Sequence, residues 1–331
     1  MYFPQERASS PAWGRFCVMI ESPPELGEIN YNGREAAPEE MENDGTGPMD
    51  ELNFRTMRVA FQGEPGAFSE AAAVQLLGEE IETVPRATFD VTFRAIAEGT
   101  ADGLLVPIEN TLAGSVVRVY DLLLESPLEI CGETILPIEH HLLCCPGARF
   151  EDIRRVASHP MALAQCERFF EAHPELKRIP AEDTAGSVRE MMERGDRSFA
   201  AIAGWRAAGH YRAVILRENI QDNPENFTRF VLLLRSEGAA RYRADDARKM
   251  SLVMRLAHKP GALLASLEPF ANHGANLLKI ESRPIHGKPF EYQFYVDVEA
   301  GTKEQLQKAL GEVREATSAL RVLGLYRAAK K

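Results

Sequence analysis

From Met57 onward the sequence alternates between short apolar runs, typical of strands, and amphipathic segments, typical of helices. A strand pattern at 58–62, for example, is followed by a glycine-containing turn and by a helical pattern that begins at Ser69. Strands that alternate with helices of this length pair into parallel sheets. Residues 57–236 are therefore predicted to form one α/β unit of two lobes. The expected lobes comprise about 57–131 with 213–236, and about 132–212.

A different order of elements follows in the C-terminal part of the chain. Residues 237–248 are small and polar, which is typical of a linker. From 249 to 326 the pattern is strand, helix, strand, strand, helix and strand, which is the order of the ferredoxin-like motif. We therefore expect a second, ferredoxin-like domain at 249–328.

The first 56 residues differ from the rest in composition and charge. They are rich in Pro, Glu, Gly and Asn and lack apolar periodicity, so they are predicted to form a disordered tail, 1–56. They hold eleven acidic and four basic residues, so the other 275 residues carry only −4 of the net charge of −11. A chain with this charge is a poor partner for nucleic acid, although a locally basic pocket can still bind an anionic substrate.

Cysteines and apolar runs bear on the compartment. The five cysteines are odd in number and include no C-x-x-C pair, which argues against a disulfide framework and against a zinc site. No apolar run approaches the roughly 20 residues that span a bilayer, and the first residues lack the pattern of a secretory signal. These features predict a cytoplasmic protein that contacts no membrane.

Short motifs follow one another in order along residues 57–327. Those of the α/β part include Gly63-Glu-Pro-Gly-Ala-Phe-Ser-Glu70, Val106-Pro-Ile-Glu-Asn110, His159-Pro160, Ala162-Leu-Ala-Gln-Cys166, Asp183-Thr-Ala185 and Asn226-Phe-Thr-Arg-Phe230. The C-terminal part adds Lys259-Pro-Gly-Ala-Leu-Leu264 and Lys279-Ile-Glu-Ser-Arg-Pro284. Through the joint order and spacing of these motifs, the chain resembles bacterial prephenate dehydratases that carry a C-terminal regulatory ACT domain.

The resemblance implies a fold, a reaction and a mode of control. Such enzymes have a two-lobed catalytic domain like that of periplasmic binding proteins, with a cleft between the lobes, and use no metal or organic cofactor. They convert prephenate into phenylpyruvate for phenylalanine biosynthesis, respond to L-phenylalanine through the ACT domain, and assemble as homodimers or homotetramers. Two alternatives stay open: a dehydratase of arogenate, which bears an amine where prephenate has a keto group, and a non-catalytic two-lobed sensor.

The reaction limits which side chains a site needs. Prephenate loses its ring hydroxyl as water, so a donor must protonate or hydrogen-bond the departing oxygen, and a cation should meet the remaining carboxylate. The resemblance assigns the first role to Thr228. Arg229 can pair with a substrate carboxylate, but strand neighbours face opposite sides, and a structural salt bridge is the alternative. Glu109 is expected to act as a protonated acid or to orient Arg229 or a loop amide.

Five further residues are expected to bind substrate. Ser69 and Thr184 begin helices whose free backbone N–H groups suit an anion, with N-capping as the alternative. Asn110 and Thr111 follow a strand and can donate to substrate, with turn capping as the alternative. Phe230 completes the Thr-Arg-Phe triplet.

A second set of residues is expected, by resemblance, to bind L-phenylalanine at a subunit interface. It lies at the start of the first helix and along the second strand of the ferredoxin-like domain. The helix start would meet the carboxylate of the amino acid and an acidic or carbonyl group its ammonium, while the leucines can also pack in the core. The residues are Gly261, Ala262, Leu263, Leu264, Asn276, Glu281, Ser282, Arg283 and Pro284.

Overall fold

A computed structural model describes residues 57–242, 244, 246–285, 287–288 and 290–329. The tail expected at 1–56 therefore lies outside the described residues. Within them the chain forms three β-sheets, two in the α/β region and one in the C-terminal region. None of the helices in this part of the chain is long and apolar enough to cross a bilayer.

Strands and helices alternate as the sequence pattern predicts, and the structure adds a strand at Lys177–Pro180, a helix at Trp205–Tyr211 and a 3₁₀ turn at Phe150–Asp152. The strands are β1 (Arg58–Gln62), β2 (Glu82–Arg86), β3 (Gly103–Asn110), β4 (Gly114–Ser115), β5 (Leu128–Pro137), β6 (His141–Cys144), β7 (Arg155–Ser158), β8 (Lys177–Pro180), β9 (Phe199–Ala203), β10 (Val214–Arg217), β11 (Phe227–Arg235), β12 (Lys249–Arg255), β13 (Asn276–Pro284), β14 (Tyr292–Glu299) and β15 (Ala319–Tyr326). The helices are α1 (Phe68–Leu77), α2 (Phe89–Ala97), α3 (Val117–Glu125), α4 (Pro160–Ala164), α5 (Glu167–Ala172), α6 (Thr184–Arg194), α7 (Trp205–Tyr211), α8 (Ser236–Tyr242), α9 (Ala262–Asn272) and α10 (Lys303–Ala316).

The first lobe is built on a sheet with the strand order β2-β1-β3-β11-β5, to which β4 adds beside β3. β1 pairs in parallel with β2 and β3, whereas β11 is antiparallel to β3 and β5. β11 is buried along most of its length because both faces of the sheet are covered. Phe230 and Leu232 pack toward α1, and Val231 and Leu233 pack toward α2, α3 and the C-terminal domain.

The second lobe contains a sheet with the strand order β10-β6-β9-β7-β8. β7 is parallel to β8 and β9, and β6 is antiparallel to β9 and β10. Cys144 and Cys145 pack into two different cores, because neighbouring residues of an extended chain point to opposite sides.

The chain crosses between the lobes at positions other than those predicted. β5 pairs with β11 as far as Pro137, so residues 132–137 belong to the first lobe and not to the second. β10 pairs with β6, so residues 214–217 belong to the second lobe and not to the first. The sequence pattern identifies these strands, but their membership of a lobe depends on partners that lie far away along the chain.

The two lobes approach each other closely where α1 begins. Gly66 has a φ of +87°, and a Cβ atom at this position would lie 2.6 Å from the Cα atom of Ala207 in α7. Across the same contact, a Cβ at Gly204 would lie 2.8 Å from the ring of Phe68. The turn before α1 therefore needs glycine both for its left-handed backbone and for the small separation of the lobes.

The C-terminal domain has the strand order β13-β14-β12-β15, antiparallel throughout, with α9 and α10 packed on one face. This is the ferredoxin-like arrangement that the order of elements predicts. The other face of the sheet contacts the first lobe, and its Val253, Tyr295 and Tyr326 share a core with that lobe. Among the strands of the described residues, β13 pairs only with β14 and is therefore an edge strand.

The connection between the domains is more ordered than the predicted linker at 237–248. It begins with α8, whose Ala239 is buried in the same core as α1 and Phe230. Small residues suit a linker in sequence, but here they also let a short helix pack closely against the sheet.

Candidate active site

The Thr-Arg-Phe triplet begins β11, beside the end of β3. In this antiparallel ladder Thr228 is opposite Asn110, and Arg229 is opposite Glu109. The ladder is irregular after Arg229, because the next partner of β11 is Pro107 and not Ile108. Neighbouring strand residues face opposite sides, so the first pair lies on one side of the sheet and the second pair on the other.

The side-chain amide of Asn110 donates a hydrogen bond to the hydroxyl group of Thr228. Asn110 Nδ2 donates to Thr228 Oγ1 at 2.9 Å and to Asn226 Oδ1 at 2.7 Å, while its Oδ1 accepts from the backbone N–H groups of Leu112 and Ala113. An amide nitrogen cannot accept, so Thr228 must be the acceptor of its bond. The hydroxyl proton of Thr228 has no acceptor among the described residues and is free to be donated to a ligand. Thr228 is only 8% exposed.

The second lobe extends this network through residues that the sequence analysis did not select. Gln165 Oε1 accepts from Asn226 Nδ2 at 3.1 Å and lies 2.9 Å from His140 Nε2. Because that oxygen can only accept, His140 carries its proton on Nε2. Burial lowers the pKa of His140, which keeps the ring neutral. Among the described residues, no protein atom accepts from the amide nitrogen of Gln165.

A signal for two of these residues is present in the sequence. Gln165 and Asn226 are polar members of the two motifs Ala162–Cys166 and Asn226–Phe230, and Gln165 interrupts an otherwise apolar run. The polar residue of a motif is thus a candidate even when the residues beside it explain the secondary structure. His140, within a run of extended chain, has no comparable signal.

Arg229 faces away from this network, toward the C-terminal domain. Its Nη1 lies 3.2 Å from Glu133 Oε2, and its Nη2 lies 2.6 Å from Asp297 Oδ2. Its Nε is 2.8 Å from Glu109 Oε1, at an angle too bent for a hydrogen bond, so this contact is electrostatic. Burial would lower the pKa of Arg229, but these carboxylates outweigh burial and raise the pKa above its usual range.

The expected pairing of Arg229 with a substrate carboxylate is therefore at odds with the structure. The guanidinium group is surrounded by three carboxylates and lies on the side of the sheet opposite the Thr228 hydroxyl. Glu109 lies between two cations, since its Oε2 is 2.5 Å from Lys279 Nζ. This position matches the expected alternative in which Glu109 orients Arg229 and not the one in which it acts as an acid.

Thr111 and Phe230, which were also expected to contact the substrate, lie in two different environments. Thr111 Oγ1 donates to the carbonyl of Glu225 and accepts from the N–H of Phe227, so it fastens the loop before β11. Phe230 is 2% exposed and packs in the core beneath α1, which removes it from the substrate side because the ladder directs its ring into the interior.

Ser69 and Thr184 lie at helix starts, as predicted. Ala67 is the N-cap of α1 without a side-chain bond, and Ser69 is a buried residue of the first turn. Asp183 caps α6 by accepting from the N–H of Gly186, so Thr184 is the first helical residue. α1 and α6 follow the carboxyl ends of parallel strands in the two lobes, the edges at which α/β sheets bind ligands.

A cavity of about 410 Å³ lies between the lobes. Its walls include Gly66 and Phe68 at the start of α1, Gly204 and Trp205 at the start of α7, and Leu136 of β5. Leu136 is the ladder partner of Thr228, although Thr228 does not line the cavity itself. The space between the lobes thus lies beside the Thr228 network.

A family model described as prephenate dehydratase matches residues 59–238, more than half of the chain. The match includes both lobes and every residue of the Thr228 network. The chain belongs to the prephenate dehydratase family. Members of this family are dehydratase lyases of phenylalanine biosynthesis.

Curated relatives carry the names of two related activities. "Arogenate dehydratase/prephenate dehydratase 6, chloroplastic" of Arabidopsis thaliana is 43% identical over 293 residues, which are 83% of this chain and 70% of the relative. "Arogenate dehydratase 1" of Petunia hybrida is 44% identical over 292 residues, 83% of this chain and 68% of the relative.

Solved structures of similar proteins cover both domains. The prephenate dehydratase of Arthrobacter aurescens in complex with L-Phe is 32% identical, with a TM-score of 0.72 over 82% of this chain and 89% of that chain. A protein described as "GqqA- a novel type of quorum quenching acylases" is 33% identical, with a TM-score of 0.73 over 82% of this chain and 98% of that one.

These relatives leave one expectation about this dehydratase unconfirmed and correct another. The curated relatives are plant proteins, so a specifically bacterial type is not confirmed. Several from Arabidopsis thaliana are named chloroplastic, and the predicted cytoplasmic location is therefore wrong, since they point to a plastid. The cytoplasmic prediction considered only patterns of secretion and membrane insertion, which do not test for a plastid address.

The segments expected to bind L-phenylalanine lie at one edge of the C-terminal domain. Gly261 has a φ of +80° and is the N-cap of α9, and Leu264 is 73% exposed. Leu263 is partly buried against the core, and Ala262 is buried. On β13 the exposed residues Asn276, Ser282 and Pro284 alternate with partly buried Arg283 and Glu281, and the carboxylate of Glu281 accepts from Ser115 of the first lobe at 2.8 Å.

Proposed function

We propose that the chain is a dehydratase that converts prephenate into phenylpyruvate, with loss of water and CO2. One observation carries the proposal: Asn110 fixes the oxygen of Thr228 as an acceptor and leaves its proton free for donation to a ligand. The family match supports the reaction, because it covers this network and both lobes.

We assign parts of the reaction to these groups, and their geometry supports the assignment. Thr228 hydrogen-bonds the departing ring hydroxyl and relays one proton to it from solvent, since an alcohol is too weak an acid to protonate it outright; the hydroxyl then leaves as water. The free amide N–H groups of Gln165 supply a second donor on the opposite lobe. Poor solvation of the ring carboxylate between the lobes favours its loss as neutral CO2.

With Arg229 on the other side of the sheet, the substrate's side-chain carboxylate needs a different partner. We assign this role to the helix starts at Ser69 and Thr184, whose backbone N–H groups have no partners within their helices. Both helices begin at the ligand-binding edges of their sheets. Backbone N–H groups that are held in place at a helix start can bind an anion even when no cationic side chain lies nearby.

Arogenate is the second candidate substrate, because the similar curated relatives include proteins named arogenate dehydratase. Arogenate carries an ammonium group where prephenate carries a keto oxygen, so the two substrates ask for opposite hydrogen-bonding partners at that atom. The polar side chains around Thr228 offer both donors and acceptors, which leaves both substrates as candidates.

The test is turnover of both substrates by the purified chain. Phenylpyruvate is followed by its absorbance in alkali, and phenylalanine formed from arogenate by amino-acid analysis. We expect product from prephenate. Product from arogenate alone would replace the substrate assignment, and no product from either, with a folded protein, would favour the non-catalytic sensor.

We further propose that L-phenylalanine binds the C-terminal domain and lowers turnover, and that the domain has the regulatory role of an ACT domain. The solved relative from Arthrobacter aurescens in complex with L-Phe supports this. We also propose a homodimer or homotetramer formed through the β13 edge. Exposed apolar residues at this edge, which include Leu264, Leu277 and Ile280, support a second copy as its partner.

A further inference from the structure

A group of buried and partly buried charged side chains lies between the first lobe and the C-terminal domain. We call it the interdomain ion cluster. Glu109, Glu133 and Arg229 belong to the first lobe, and Lys249, Lys279, Glu281 and Asp297 belong to the C-terminal domain. The catalytic roles proposed above use none of the four charges from the C-terminal domain.

In this cluster, charged side chains of each domain pair with opposite charges of the other domain. Within the first lobe, a single cation, Arg229, faces the two carboxylates of Glu109 and Glu133. The C-terminal domain adds Lys249, which donates to both oxygens of Glu133 at 2.9 and 2.8 Å. It also adds Asp297, which accepts from Arg229 and from Ser251. Buried charges tolerate little displacement of a partner, so the cluster fixes the relative position of the two domains.

One branch of the cluster connects the edge strand β13 with the back of the active site. Lys279 Nζ donates to Glu109 Oε2 at 2.5 Å and to Ser115 Oγ at 2.9 Å. Ser115 in turn donates to Glu281 at 2.8 Å. Glu109 directly precedes Asn110 and is the ladder partner of Arg229, which directly follows Thr228. Lys279 therefore contacts the end of β3, which carries the Asn110 amide, and through Glu109 and Arg229 it also acts on the start of β11, which carries the Thr228 hydroxyl group. It does so from the side of the sheet that faces the C-terminal domain.

We propose that Lys279 is a positioning residue of the active site. It couples the binding of an amino acid at β13 to the orientation of the Thr228 hydroxyl group. The proposal rests on the proposed function and deepens it. An amino-acid ammonium group that binds Glu281 competes with Ser115 and Lys279 for the same carboxylate. The resulting shift of Lys279 leaves Glu109 with Arg229 alone, and the end of β3 that carries Asn110 moves with it.

Such coupling has a thermodynamic signature. A ligand shifts an equilibrium only by the difference in its affinity for the two states, and the effect is reciprocal between the two sites. If Lys279 transmits the signal, its loss should uncouple the sites while each site still binds its own ligand. A residue that only stabilises the fold would instead lower stability without changing the response to L-phenylalanine.

The experiment compares Lys279→Met with Lys288→Met in the full chain. Lys288 belongs to the same domain but forms an exposed pair with Glu291, 3.7 Å away. Turnover of prephenate is measured with and without L-phenylalanine, and binding of L-phenylalanine is measured by calorimetry. For Lys279→Met we expect kcat to fall about tenfold with KM nearly unchanged. We also expect inhibition to be largely lost and the Kd of L-phenylalanine to change by less than about threefold.

A second variant and a second readout make the result decisive. Glu109→Gln should produce the same loss of coupling, and its effect should not add to that of Lys279→Met, because both remove one interaction. Hydrogen exchange of 103–116 and 226–235 should respond to L-phenylalanine in the wild type and in Lys288→Met, but not in Lys279→Met. An inactive wild type would overturn the proposed function, while hydrogen exchange would still decide the coupling. A Lys279→Met enzyme that is inhibited like Lys288→Met would overturn the inference.

Discussion

At the scale of the residue, Thr228 and Arg229 show how two neighbours in one motif acquire different tasks. The hydroxyl of Thr228 lies with Asn110 on one side of the sheet, and the guanidinium of Arg229 lies with three carboxylates on the other. A strand that is buried on both faces can thus carry the hydroxyl group that we propose as a donor to substrate and, one residue later, a side chain that binds a second domain.

Replacement of Thr228 by Val tests the role of the hydroxyl at nearly constant shape. We expect kcat to fall about 100-fold or more, because a fixed donor contributes about 3–4 kcal/mol to the stabilisation of a departing oxygen. Thr228→Ser keeps the hydroxyl and should retain most of the activity. Steady-state kinetics with prephenate and circular dichroism for folding give the answer, and a Val variant with nearly normal turnover would remove Thr228 from the mechanism.

His140 makes the stability of the network sensitive to acid. Burial holds the pKa of His140 below its usual value, so on acidification the unfolded chain takes up a proton first. The stability that neutral His140 contributes is complete above about pH 6.5 and is lost as the pH falls further, by up to about 1.4 kcal/mol per unit.

The variant His140→Asn should lose less stability than the wild type between pH 7.5 and pH 5.5. The difference between the two in the free energy of unfolding should shrink by about 1 kcal/mol across this interval. Urea denaturation at both pH values measures it, with His210→Asn as a control for the loss of an exposed histidine. Parallel pH profiles of His140→Asn and the wild type would contradict the prediction.

At the scale of the element, the contact between β15 and β5 depends on one glycine. A Cβ atom at Gly324 would lie 2.1 Å from the carbonyl oxygen of Ile130, and a backbone atom cannot move aside as a side chain can. The ladder between β12 and β15 is irregular at this point, next to Ser251. Packing of the C-terminal sheet against the first lobe therefore requires glycine here for space and not for a left-handed backbone.

Gly324→Ala should lower the free energy of unfolding by about 1–3 kcal/mol, the usual cost of overpacking. Gly311→Ala is a matched control in α10, where an added Cβ meets nothing within 4 Å. In a helix interior that change should raise stability by about 0.5–1 kcal/mol. Chemical denaturation of both variants measures the contrast, and equal effects would show that the close approach at Ile130 is unimportant.

At the scale of the whole molecule, the β13 edge is the surface that we expect to meet a second copy. Ile280→Lys places a charge on this edge, where the isoleucine is 41% exposed. Light scattering should show a lower mass than for the wild type, because an apolar interface does not readily bury an unpaired charge. Val214→Lys alters the edge strand of the second lobe at similar exposure, 43%, and should leave the mass unchanged. An unchanged mass for Ile280→Lys would exclude this edge as the interface.

The sequence by itself determined the order of elements, the ferredoxin-like topology and the candidate Thr228, because periodicity and motifs are local properties of the chain. It did not determine the sides to which Arg229 and Phe230 turn, the strands at which the chain changes lobes, or the pairing of Lys279 with Glu109. Those depend on strand pairing and domain packing, which bring together residues far apart along the chain. Gln165 and Asn226 stand between the two cases, since their motifs were visible in the sequence while their hydrogen bonds required the tertiary structure.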